Sequence, residues 1–121
     1  MKRDMDLVRK ILLELEKHKH GYAPRPLAIE GHSEEEIGFH VHLMGEAGLL
    51  KTADVATRGS MSPQAQARNI TWEGCEFLDA AREPSIWERA KVKIVSAGAG
   101  VTLEVLKGVL ADLSKQALGL P

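Results

Sequence analysis

Between residues 4 and 17, apolar side chains recur every three or four positions: Met5, Val8, Ile11, Leu12 and Leu15. That spacing gathers them on one stripe of a helix. Asp4 and Asp6 at its start and Lys17, His18 and Lys19 at its end complement the helix dipole. Gly21 stops the helix, and Pro24 and Pro26 keep it from resuming. The short apolar run Leu27-Ala28-Ile29 predicts a brief extended segment, the first strand of a small sheet. A second helix opens at Ser33, which forms a capping-box pattern with Glu36. Its inward stripe is Ile37, Val41 and Met44, with His40 beside them, and Glu34, Glu35, Gly38, Phe39, His42 and Gly45 are expected to face outward. Gly48 suits a left-handed cap at its end. Two strands, over 49–57 and 66–71, flank the polar stretch TRGSMSPQA, which is too long for a tight hairpin turn and fits a wing. Thr71 caps a third helix running to about residue 82, with Trp72, Phe77, Leu78 and Ala81 as its expected buried residues. Pro84 breaks the chain, and Ser85 with Glu88 forms a second capping-box pattern opening a helix over 86–97. After the hinge SAGAG, Thr102 caps a last helix over 103–118, whose apolar stripe is Leu103, Leu106, Val109, Leu110, Leu113 and Ala117.

The elements predict a mainly helical α+β fold, and 121 residues suit one domain with a real core. Within it, 1–83 reads as the core and 85–121 as a C-terminal helical extension. The single cysteine, Cys75, excludes an intramolecular disulfide and sets a cytoplasmic location as the expectation. The stretch MKRDMDLVRK lacks the apolar run of a signal peptide. No apolar tract approaches the roughly 18 residues of a membrane span, so no membrane partner is expected. Net charge is −1, unevenly spread: residues 21–50 carry −4, and residues 51–72 carry +2.

The order of helix, short strand, helix ending in EAGLL, strand, wing, strand and helix resembles winged-helix regulators. The matching residues are His40, Val41, Met44, Glu46, Ala47, Gly48 and Leu49, followed by Thr71 and Gly74. The resemblance implies a winged helix-turn-helix-like domain with two additional C-terminal helices. In one respect the chain departs from that pattern: residues 21–32 hold two prolines and two glycines where a winged helix has a separate short helix. More closely, the whole chain resembles the bacterial and phage family termed domain of unknown function 2513. The stretches MKRDMDLVRKILLELE, IEGHSEEEIGFHVHLMGEAGLL, ITWEGCEFLDAAREPSIWERAK and VTLEVLKGVLADLSKQALGL carry that resemblance. It implies no activity, substrate or catalytic residue.

Charge decides how the second helix is read. Base edges are read mostly by arginine, lysine, asparagine and glutamine, and phosphates by lysine and arginine. None of these residues occurs between Ser33 and Leu50. Glu34, Glu35, Phe39 and His42 are therefore candidate contacts to a protein partner first, and to DNA only second. Lys2, Arg3, Arg58 and Arg68 are the candidate phosphate contacts, set against an ordinary solvated-charge reading. Leu103, Leu106, Val109, Leu110 and Leu113 are candidate dimer contacts, since paired copies are the commonest soluble assembly. The histidine pairs at 18–20 and 40–42 lack metal-ligand spacing: two residues apart on a helix, side chains diverge. Glu73 and Glu76 oppose activation of Cys75, which is expected to be a buried or half-buried small residue. Both tryptophans are expected to anchor the core. No metal, cofactor or catalytic group is expected. The expectation is a winged-helix-like interaction or assembly module, with a phage- or prophage-type DNA-binding regulator as the alternative.

Overall fold

The computed structural model describes residues 1–18, 27–55 and 62–121. Among them the elements run α1 (Met5–Glu16), α2 (Glu34–Glu46), β1 (Leu50–Asp54), β2 (Ala65–Ile70), α3 (Trp72–Ala81), α4 (Pro84–Ser96) and α5 (Leu103–Ala117). The architecture is mainly helical α+β: five helices and one two-stranded antiparallel hairpin among the described residues. The internal contacts of the chain divide it into two units, Met1–Cys75 and Glu76–Pro121, with the division falling inside α3.

In the first unit, α1 packs on α2 and β2, and α2 packs on both strands. The predicted stripe of α1 is the buried one: Met5, Val8, Ile11, Leu12 and Leu15 are buried, joined by Leu7. Asp4 caps the helix, its carboxylate accepting hydrogen bonds from the N–H groups of Asp6 (2.9 Å) and Leu7 (3.3 Å). From α2, Ile37, His40, Val41 and Met44 are buried. Gly48, at φ +80°, turns the chain sharply out of α2. The Leu49 N–H then returns to the Met44 carbonyl (2.9 Å), closing the helix in the expected left-handed cap.

The strands pair from Leu50↔Ile70 to Asp54↔Ala65, and the register slips between Lys51 and Thr52. Lys51 pairs with Asn69 and Thr52 with Ala67, which leaves Arg68 as the extra residue of a β-bulge. β1 starts one residue later than predicted and β2 runs one residue earlier at both ends, while the predicted end of the first strand, residues 56–57, lies outside the described residues. The stretch 27–29 is not a strand: it forms no ladder with β1 or β2. Three residues between prolines and a glycine offer too few backbone groups to hold a pairing.

A compact junction ties the hairpin to α3. The Thr71 N–H donates to the Leu49 carbonyl (3.1 Å) and its hydroxyl donates to the Gly48 carbonyl. The same hydroxyl oxygen accepts from the Gly74 N–H (3.0 Å), making Thr71 the N-cap that was predicted. Gly74 lies flat against the Leu49 carbonyl, and a methyl there would also stand 2.7 Å from Ile70 Cγ2. The EAGL and T-x-x-G segments of the sequence are therefore two halves of one contact.

In the second unit, α4 packs on α5. Trp87, Ala90 and Ile94 are buried on α4, and Leu106, Leu110 and Leu113 on α5. Phe77 meets Trp87 edge-on, ring centroids 6.2 Å apart, and Lys91 Nζ lies 5.9 Å from the centroid of the Trp87 ring. Thr102 caps α5, accepting from the Val105 N–H (3.2 Å). α4 begins two residues earlier than predicted. Glu83 is its cap, accepting from the Ser85 N–H (3.4 Å) and hydroxyl (3.1 Å). Pro84 opens the helix instead of breaking it, because proline lacks only an N–H that the first turn leaves unpaired in any case. Glu88 pairs with Lys91 (3.1 Å) and not with Ser85.

Burial expectations are also corrected at five residues. Trp72 is 78% exposed, so only Trp87 anchors the core. Cys75 is exposed, and Ala117 is exposed at the end of α5. Gly38 and Gly45 of α2 face the hairpin side chains Gln64 and Thr52, not solvent.

Candidate interaction surface

Ser33 and three glutamates set the start of α2. The Ser33 hydroxyl oxygen accepts from the Glu36 N–H (3.1 Å), which is half of the expected capping box. The other half is absent, because the Glu36 carboxylate is engaged by Nδ1 of His32. Glu34, Glu35 and Glu36 all lie in the first turn, where the dipole favours negative charge.

His40 fixes α2 against the start of α1. The Asp4 N–H donates to His40 Nε2 (2.8 Å). Nε2 must then be the unprotonated nitrogen, and Nδ1–H donates to the Glu36 carbonyl (2.8 Å). The ring is fully buried with both nitrogens satisfied, so His40 is structural and stands ready for no ligand.

On the opposite side of α2 the hairpin closes over two glycines. Gln64 donates to the Glu35 carbonyl (2.9 Å) and to Ser62 Oγ (3.0 Å), and the Ser62 hydroxyl donates to the Glu35 carboxylate (3.3 Å). Gly38 lies under the Gln64 carboxamide, and a methyl at Gly45 would stand 2.8 Å from Thr52 Oγ1. The hairpin thereby meets α2 at Gly38 and again at Gly45, seven residues further along the helix.

The residues of α2 that remain at the surface are few. Glu34 and Glu46 are exposed, and Glu35, Phe39, His42 and Leu43 are half-buried. Phe39 meets His40 edge-on at 5.8 Å between centroids, and His42 Nε2 lies 3.4 Å from Glu46 Oε1. This face is acidic and aromatic, with no lysine or arginine of its own.

The described candidate phosphate contacts come from two places in the chain. Lys2 and Arg3 are exposed ahead of α1, and Arg68 is exposed at the bulge of β2; Arg58 lies outside the described residues. The candidate dimer stripe is divided. Leu106, Leu110 and Leu113 are buried within one chain that packs α5 on α4, so they are not open to a partner. Leu103 and Val109 are half-buried. The apolar side chains that α4 does present, Val92 and Val95, are each 63% exposed. Val92 was missed by the sequence reading, although its place opposite Trp87, Ala90 and Ile94 on the helical wheel marks it as outward.

No group of three or more histidine, cysteine or carboxylate side chains among the described residues is placed to hold a metal ion. None of the helices formed by those residues is long and apolar enough to cross a membrane.

With this architecture and surface established, comparison with known proteins assigns the family. The chain belongs to the family described as "Hypothetical protein (DUF2513)", whose model matches residues 2–101. An "Uncharacterized protein" of Haemophilus influenzae is 34% identical over 119 residues, covering 98% of this chain and 99% of that protein. No solved structure matches the chain.

Proposed function

We propose that this chain is a winged-helix-like protein-interaction or assembly module that does not read DNA through α2. One observation carries the reading. The outer face of α2 offers glutamates, Phe39, His42 and Leu43, while Gly38 and Gly45 are closed under Gln64 and Thr52. A helix that enters the major groove needs cationic or amide side chains on its free face, and an acidic face repels phosphate. The partner is another protein or a second copy of this chain. The role is non-enzymatic, and no cofactor takes part.

A second reading, a phage- or prophage-type DNA-binding regulator, is favoured by one feature. The bulge presents Arg68 from the hairpin that would serve as a wing, and Lys2 and Arg3 are exposed as well. Fluorescence anisotropy of a labelled random-sequence duplex separates the two. The interaction-module reading expects no binding at low salt. Micromolar binding that weakens steeply with added salt would overturn it in favour of the regulator, because phosphate contacts release counterions. Sedimentation of the free chain then distinguishes a second copy from a different partner.

A further inference from the structure

We draw no further inference here: the strongest candidate, the exposed strip of Val92 and Val95 on α4, is an unpartnered apolar face, and nothing in the structure shows what covers it.

Discussion

Replacing Gly74 by alanine tests the junction between the hairpin and α3. Within a helix, glycine to alanine ordinarily stabilises by about 0.5–1 kcal/mol, because glycine loses more backbone freedom on folding. At Gly74 that gain is opposed by contact. The new Cβ would fall well inside the Leu49 carbonyl oxygen, 2.7 Å from Ile70 Cγ2 and 3.1 Å from the Leu49 carbonyl carbon. Real Cβ atoms essentially never come within 3.0 Å, and backbone cannot swing aside as a side-chain tip can. The start of α3 must therefore retreat from Leu49. Retreat stretches the two hydrogen bonds from Thr71 to the carbonyls of Gly48 and Leu49, each worth about 1 kcal/mol net. Overpacking adds about 1–3 kcal/mol. Set against the helical gain, the balance is a loss of about 3 kcal/mol. Gly108 supplies the control: it lies inside α5 with nothing within 4 Å of a built Cβ. Gly108→Ala is expected to stabilise by about 0.5–1 kcal/mol. Urea unfolding of both variants reads the two signs directly. If Gly74→Ala matches or exceeds the wild type, the close approach of Leu49 to α3 is wrong, and so is the account of the EAGL and T-x-x-G segments as one contact.

Three further substitutions probe other parts of the chain. His40→Leu strands the Asp4 N–H without its acceptor and is expected to cost about 1–3 kcal/mol in urea unfolding; a cost below about 0.5 kcal/mol, the usual surface range, would mean the ring does not pin α1 to α2. Gly38→Ala drives a methyl into the Gln64 carboxamide, and because that group is the end of a flexible side chain, Gln64→Ala should rescue it. The double variant is expected to be more stable than the sum of the singles by about 1 kcal/mol, and strict additivity would show that Gln64 does not cover α2. Leu110→Ala removes a fully buried side chain of α5 and is expected to cost about 2–5 kcal/mol with no change of mass in sedimentation. Loss of assembly without loss of stability would instead restore Leu110 as a contact between copies.

How far the sequence revealed this molecule depends on what each signal physically reports. Periodicity and caps are local. Accordingly α1 and α5 were legible from their stripes, and Ser33, Thr71 and Thr102 were legible as caps, because a hydroxyl one turn from a free N–H acts within its own segment. Period also contained the answer for Trp72. It stands five residues before Phe77, about 140° around the helix at 3.6 residues per turn, which places it off the buried face. Pro84 is ambiguous in the sequence, because a proline that breaks a helix interior has a rigid φ that also favours the first helical position. Gly38 and Gly45 failed for a different reason. A glycine carries no side chain to declare a face, and two of them seven residues apart fit an open surface as well as a close approach. Only the Gln64 and Thr52 side chains, which the hairpin brings back from residues further along the chain, decide between the two. The same limit governs the candidate surface. The sequence showed correctly that α2 carries no lysine or arginine, which is a matter of composition. It did not show that the hairpin covers part of the helix, or that Leu106, Leu110 and Leu113 are already buried in a chain whose α5 packs on α4. An apolar stripe states that a face must be covered. It does not say by what, and in α5 the single chain supplies the cover itself.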